Sequence, residues 1–392
     1  MKITDVKTHM FDCYRTNWVF VEINTDAGIT GMGEATLEFC EHALVGAIED
    51  MKPRLIGRDP ANIEEICHIL ARDTYWKIGP VITSAVSGIE LALWDILGKS
   101  LGVPVYTLMG GKTRDSVKIY ANGWFAGAKK PEEFAAKAAE AVKLGVTALK
   151  FDPFGSAYMN ITNAELDLAL KKLWAVKEAV PASTEILVEG HGRFCRNSAI
   201  NIAKELEELK PKFFEEPVPP DSIEELGEVT KKARVPIAAG ERLYGCAAFF
   251  DLLNRTGVEF IQPDPSHAGG ISELKKISAM AEAKHVSFAP HNPSGPGATA
   301  AALTLAACCH NFEILEIMLT DVPRRKKITD ERLVFSNGNI VIPSKPGLGL
   351  EYDISEIEKY PYRQRFLRHY NGELTDIRPT SPEENILYFD FE

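Results

Sequence analysis

The sequence predicts an α/β protein: a (β/α) barrel of the TIM type, preceded by an α+β capping domain that the C-terminal segment completes. Three observations carry that prediction. From Ser116 onward, short apolar strands alternate with amphipathic helices, the pattern of a parallel sheet with helices packed on it. Carboxylates and histidines recur every 23 to 27 residues between positions 189 and 316, and about 25 residues is one strand-loop-helix-loop unit of a barrel. The first 36 residues instead carry the period-two patterning of antiparallel strands.

Taken in order, Lys2 to Cys13 and Val19 to Asn24 alternate as strands, and Thr25-Asp26-Ala27-Gly28 supplies turn chemistry before a Gly-rich third strand. Residues 38 to 100 are expected to be helical, most clearly Ser84 to Lys99. Barrel strands are expected at 116–122, 147–152, 186–191, 212–217, 236–241, 260–265, 286–291 and 312–317. Helices such as Pro131 to Leu144, Ser198 to Leu209 and Ile271 to Ala283 lie between them. The Pro- and charge-rich sequence after the last strand lacks this periodicity and is expected to return over the first domain. The resulting division is 1–112, 113–320 and 321–392. The terminal run Glu384 to Asp390 is taken as native tail.

Composition narrows the function classes. The chain has 392 residues, a length that argues for about two domains. A net charge of −11 without basic stripes excludes nucleic acid as a partner. An anionic substrate stays open, because a bound divalent cation would dominate its local field. No uninterrupted apolar run long enough to span a membrane, and no signal-peptide pattern, is visible, so a cytoplasmic protein is expected. The seven scattered cysteines contain no C-x-x-C, which points to reduced thiols, with Cys308 and Cys309 as small buried hydrophobes.

The chemistry lies at the strand ends. Glu189, Glu215, Glu241, Asp264, His291 and Glu316 close six successive expected strands. Equivalent points of consecutive units meet at the C-terminal mouth of a barrel, where such folds hold their chemistry. Carboxylates and a histidine gathered there point to a metal-dependent enzyme acting at a carbon acid. His291 is the candidate base, oriented by Asp264. Lys150 and Asp152 end the second strand. His191 lies two residues after Glu189, on the same side of its strand, and Arg193 follows. Tyr14-Arg15-Thr16-Asn17-Trp18 is a polar-aromatic loop suited to hydroxyls, with Tyr14 and Trp18 as candidate substrate contacts and aromatic core packing an equal alternative for Trp18.

Taken together, these residues resemble the enolase superfamily and, within it, the mandelate racemase subgroup of acid-sugar dehydratases. Ser87-Gly88-Ile89-Glu90-Leu91-Ala92-Leu93-Trp94-Asp95, Leu108-Met109-Gly110-Gly111, Glu215-Glu216-Pro217, Ala239-Gly240-Glu241 and Asp264 with Gly269-Gly270 carry the resemblance, in order and at compatible intervals. It implies one Mg²⁺ held by Glu189, Glu215 and Glu241. One departure is that the family more usually has Asp where Glu189 stands. Racemases of the family carry a second Lys where Asp152 stands, so the resemblance argues against simple racemisation.

The expected roles follow. His291 removes the C2 proton, Lys150 neutralises the substrate carboxylate, and a protonated Glu316 hydrogen-bonds the developing enolate. His191 protonates the departing 3-hydroxyl. Asp152 either contacts a hydroxyl or shapes its loop, and Arg193 either contacts substrate or pairs with a carboxylate. The expected activity is an aldonate dehydratase giving a 2-keto-3-deoxy acid, with gluconate or galactonate as substrate. An epimerase or cycloisomerase, and a non-catalytic sugar-acid-binding barrel, are the alternatives. The resemblance also implies a homo-oligomer, dimer or octamer.

Overall fold

The computed structural model describes residues 1–319, 322–366 and 389–391; most of the 384–390 tail lies outside the described residues. Strands β1 (Ile3–Asp12), β2 (Asn17–Thr25) and β3 (Thr30–Glu34) form an antiparallel sheet in chain order. Helices α1 (Glu41–Met51), α2 (Ile63–Arg72) and α3 (Pro80–Leu101) follow, then the short α4 (Val105–Leu108). Two glycines let α3 lie directly on β3. A Cβ at Gly31 or Gly33 would sit 2.2 or 2.0 Å from the carbonyl oxygens of Ala92 and Gly88.

Helix α3 contains no uninterrupted apolar run long enough to span a membrane, since Glu90, Asp95 and Lys99 interrupt it, yet taken as a whole it matches a membrane span. Its 22 residues are long and apolar enough by length and composition, and 72% of the apolar window is buried inside the protein. The reason is that it serves two cores. Ile89, Leu93 and Ile96 pack with the first sheet, while Leu91 belongs to the barrel core.

The barrel comprises β4 (Ser116–Asn122), β5 (Ala148–Phe151), β6 (Glu185–Glu189), β7 (Phe214–Glu215), β8 (Ile237–Ala239), β9 (Phe260–Ile261), β10 (Ser287–Phe288) and β11 (Leu315–Met318). Each pairs in parallel with the next through β10, and β11 pairs with β4. A parallel bridge from Phe288 to Phe312 closes the ring. After the strands come α5 (Pro131–Lys143), α6 (Asn163–Ala179), α7 (Arg196–Glu205), α8 (Ile223–Lys232), α9 (Gly245–Arg255), α10 (Gly270–Glu282), α11 (Pro296–Cys308) and α12 (Val322–Ile328). Local sequence sets their starts. Thr162 and Glu165, for example, exchange hydrogen bonds as a capping box that opens α6. Helix α11 is buried over its whole length, with Cys308 at its end, because the first domain covers its outer face.

The C-terminal segment does two things where one was expected. Strands β12 (Leu333–Ser336) and β13 (Asn339–Val341) form a hairpin whose second strand pairs antiparallel with the start of β4, extending the barrel sheet. Beyond it the chain reaches the capping domain. Leu348 N donates to Asp95, α13 (Ile354–Ile357) leads to Tyr360, whose ring meets Phe11, and Arg363 N donates to Asn17. Strand β14 (Phe389–Phe391) lies beside β12. Residues between 347 and 365 thus contact the first domain, whereas the hairpin before them extends the barrel sheet.

Candidate active site

One apolar layer sets the level of the site. Tyr120, Ala148, Leu187, Phe213, Ala238, Ala289 and Ile314, joined by Phe260, fill the barrel interior with one side chain from, or beside the end of, each strand. Strand side chains alternate faces, so the residue two positions later points the same way. That rule places Asn122, Lys150, Glu189, Glu215, Gly240, Gln262, His291 and Glu316 in the next layer towards the C-terminal mouth. Glu241 and Asp264 lie just above. Gly240, at φ 132°, turns the chain ahead of Glu241, and a Cβ there would lie 2.7 Å from the Phe249 ring.

Glu189, Glu215 and Glu241 offer oxygens that all lie within 4.8 Å of one another. Oxygen-only donors suit a hard divalent cation. Oε2 of Glu189 is buried and makes no hydrogen bond among the described residues, with only the Lys150 ammonium 3.2 Å away to face its charge. These three residues therefore fit a metal. Burial, helped by the like charge of Glu241, pushes Glu189 up to about 7 despite Lys150, and burial beside Glu189 pushes Glu215 well above the carboxylate range. Burial would also raise Glu241, but His291 and Arg242 outweigh it and hold that carboxyl below its ordinary value. Metal binding requires the deprotonated ligands. Affinity for a divalent cation is therefore expected to rise between pH 6 and 8, by about tenfold per pH unit for one displaced proton. Calorimetry in buffers of different ionisation enthalpy would reveal the proton release. A pH-independent affinity would count against this triad.

Lys150 corrects its expected role. Its ammonium is buried and enclosed by protein carboxylates: Glu215 at 2.8 Å, Glu316 at 3.0 Å and Glu189 at 3.2 Å. Burial alone would lower its pKa, but Glu215 and Glu316 carry it well above the usual lysine value. The charge thus faces the candidate ligand cluster and Glu316. Glu316 is corrected as well. It accepts from Asn122 Nδ2 at 2.8 Å and from Asn292 N at 3.0 Å. Burial would raise it, yet Lys150 and His291 win and lower it, the direction opposite to the protonated state expected of it.

Two histidine–carboxylate pairs face each other across the mouth. His291 Nδ1 lies 2.8 Å from Asp264 Oδ2, and Nε2 lies 3.3 Å from Glu241. Burial would lower this imidazole, but Glu241 and the Asp264 hydrogen bond raise it well above its ordinary value. His191 Nδ1 lies 2.8 Å from Asp152 Oδ2. Its backbone is left-handed at φ 50°, and its N–H donates to Glu189 Oε1 at 2.7 Å, so the ligand and the histidine share one turn. The pairs follow β6 and β10, four strands apart in a ring of eight, which places them on opposite walls. In each, a carboxylate on Nδ1 fixes the orientation of the imidazole.

The open alternatives at Asp152 and Arg193 resolve together. Arg193 Nη2 lies 2.8 and 2.7 Å from the two Asp152 oxygens, and its other nitrogens donate to the carbonyls of Gly155 and Gly190. Arg193 is thus buried in a carboxylate pair and not available to substrate. Asp152 is the orienting partner of His191. Burial would raise it, but Arg193 and then His191 hold it down to about 2.

The first-domain loop also departs from expectation. Trp18 is fully buried in β2, stacked on Phe11 at 5.7 Å, and is core rather than a substrate contact. The Tyr14 ring lies under the guanidinium groups of Arg324 and Arg365. Arg15 is the residue that reaches the barrel, donating to the Pro293 carbonyl at 2.8 Å.

Other neighbours of the site carried no sequence signal of their own. Asn122 and Asn292 hold Glu316. Arg242 pairs with the buried Glu216 at 2.5 Å and fills the space where a Cβ on Gly192 would stand. His267 bonds Ser84 at 2.9 Å and approaches Asp264 at 3.8 Å. Gln262 is buried with neither carboxamide atom hydrogen-bonded among the described residues. Adding two to each residue of the apolar layer would have found Asn122 and Gln262.

Two family models match this architecture. Enolase C-terminal domain-like covers residues 133–357, and the mandelate racemase / muconate lactonizing enzyme N-terminal domain covers residues 2–110. A D-galactonate dehydratase from Variovorax paradoxus (strain S110) is 35% identical over 96% of this chain and 100% of its own length. Another from Pectobacterium atrosepticum is 37% identical over 90% of this chain and 92% of its own. Among solved structures, a mandelate racemase/muconate lactonizing enzyme from Jannaschia sp. CCS1 superposes with TM-score 0.86 at 32% identity, covering 93% of this chain and 99% of that one.

Proposed function

The chain belongs to the mandelate racemase / muconate lactonizing enzyme family of enolase-like proteins, and from that premise we propose that it is a Mg²⁺-dependent sugar-acid dehydratase. The observation that carries the proposal is the pair of carboxylate-oriented histidines on opposite walls of the mouth, with the three metal-competent carboxylates on the strands between. D-galactonate is the first substrate to test, since the relatives above bear that name; gluconate follows.

Removal of a proton next to a carboxylate puts further negative charge on that group. A bound Mg²⁺, held by Glu189, Glu215 and Glu241, would supply Lewis-acid stabilisation of that charge. The protein residues do the rest. Asp264 holds His291 with Nε2 towards the substrate, and that nitrogen takes the C2 proton. Lys150, held between the ligand carboxylates and Glu316, keeps the cluster electrically balanced and in place. Across the mouth, Asp152 holds His191, whose Nε2 delivers a proton to the 3-hydroxyl so that it leaves as water. The electron pair of the C2–H bond becomes the C2–C3 double bond as the C3–O bond breaks. The enol then tautomerises to a 2-keto-3-deoxy acid. A base and an acid on opposite walls suit elimination with the proton and the hydroxyl on opposite faces.

The same opposition of histidines also favours a second reading, an epimerase in which His191 serves the second face of C2. A sugar-acid panel with Mg²⁺, followed by semicarbazide absorbance in deuterated solvent, separates the two. Absorbance at 2-keto-3-deoxy product supports dehydration, whereas C2 deuterium without product replaces it with epimerisation. His191→Asn sharpens the contrast. Water loss is expected to fall about 10²-fold or more, while C2–H exchange into solvent through His291 persists. Equal loss of both activities would deny His191 the role of leaving-group acid.

A further inference from the structure

We propose that the capping domain holds the His291–Asp264 pair in register through two buried carboxylates, Glu34 and Glu90. The inference rests on the assignment of that pair as base and orienting partner. Asp264 precedes α10 and His291 precedes α11, so each reactive side chain sits on the short loop that opens a helix. The first N–H groups of a helix have no partner within it. Here both helices receive theirs from the other domain.

Glu34, at the end of β3, is fully buried. It accepts from Gly295 N at 2.7 Å on Oε1 and from Ala298 N at 3.0 Å on Oε2. Thr36 Oγ1 donates to Oε1 at 2.7 Å, fixing the carboxylate plane. Glu90, on α3, does the same for α10. It accepts from Ile271 N at 2.9 Å and from Ser272 N at 2.8 Å, with the Ser272 hydroxyl and the Trp94 indole completing its shell. An anion is favoured at such a helix end by the aligned peptide dipoles.

The glycines at these junctions show how little room the clamps leave. A Cβ on Gly270 would lie 2.2 Å from Glu90 Oε2, and one on Gly295 would lie 2.8 Å from both Glu34 oxygens. Only three residues lie between His291 and Gly295. A shift of the helix end is therefore carried into the imidazole, and a misplacement of about 1 Å can cost about 10²-fold in rate.

Asp95 supplies the control. It is another buried carboxylate of α3, but its partners are Met32 N, Leu348 N and Lys99, none of them on the loops of the reactive pair. The experiment compares the full chain with Glu34→Gln, Glu90→Gln and Asp95→Asn. An amide places a donor NH2 where one of the two accepting oxygens stands, so in the same geometry it serves only one of the two N–H groups. The first readout is the imidazole N–H resonance of His291 in its hydrogen bond to Asp264, assigned by its disappearance in His291→Asn.

That resonance is expected to vanish or broaden in Glu34→Gln and Glu90→Gln and to persist in Asp95→Asn, although all three lower Tm. In the turnover assay, kcat is expected to fall about 10- to 100-fold in the first two, with KM unchanged. Should Glu34→Gln fail to fold, Thr36→Val loosens the same carboxylate more gently. An undisturbed resonance in both Gln variants, with Tm lowered as in Asp95→Asn, overturns the proposal and leaves these carboxylates as ordinary domain cement. The resonance needs no substrate, so a wild-type protein silent on sugar acids would remove the functional assignment while this comparison still decides the clamp.

Discussion

Replacing His291 by asparagine is expected to lower sugar-acid turnover by about 10³- to 10⁴-fold, the upper range for loss of a positioned general base. The expectation follows from what surrounds the imidazole. Asp264 fixes Nδ1 at 2.8 Å, and among the described residues no other titratable side chain pairs with Asp264 at hydrogen-bonding distance, His267 standing 3.8 Å away. Asparagine can keep a contact with Asp264 but cannot accept a proton. Because the base must be neutral to act, kcat/KM in the wild type is expected to rise with pH through the His291 titration. The residual activity of the variant should lack that ascending limb. C2–H exchange measured in deuterated solvent should disappear together with water loss, unlike in His191→Asn. A variant that keeps exchange at the wild-type rate would move the base elsewhere in the mouth.

What the sequence made legible follows from period and interval. The barrel strands were found because each unit repeats at about the same length, and β4 (Ser116–Asn122) even has the expected bounds. Others are shorter than expected: the run 212–217 forms ladder only at Phe214–Glu215, because the chain leaves the sheet where it must turn its side chains into the mouth. The six recurring acidic and histidine positions converge because interval alone dictates that.

Contacts between domains were not legible. Gly295 and Glu34 lie 261 residues apart and Ile271 and Glu90 lie 181 apart, and no periodicity links such positions. Trp18 was misplaced for a local reason. It was assigned to a loop, whereas β2 begins at Asn17 and its register sets Trp18 opposite Phe11, which turns the indole into the core. Charge states failed similarly: Glu316 and Lys150 take opposite signs from each other, so neither could be assigned alone.

That mutual dependence makes Lys150→Met the substitution with the largest expected effect on stability. In the metal-free protein the variant should lose about 3–5 kcal/mol, the usual consequence of removing one partner from a buried charge pair. The side-chain volume is nearly kept, so the loss is electrostatic. It comes from Glu215, Glu316 and Glu189, all buried and all within 3.2 Å of the missing ammonium. The sign with pH can be stated. In the wild type, the lysine pKa is raised on folding, so its contribution is present below the unfolded value and fades only as pH climbs through the raised folded one. At neutral pH the contribution is in full force, and the variant is expected to recover stability towards acid, where the carboxylates accept protons instead. A divalent cation supplies positive charge to two of the same carboxylates. Millimolar Mg²⁺ should therefore stabilise the variant more than it stabilises the wild type, whose lysine already balances the cluster. Urea unfolding in EDTA and in Mg²⁺, at pH 5 and pH 8, measures all of these terms. Equal midpoints for variant and wild type in EDTA at pH 8 would show that the carboxylates are kept apart by protonation alone, and Lys150 would lose its place as the charge around which the ligand cluster is built.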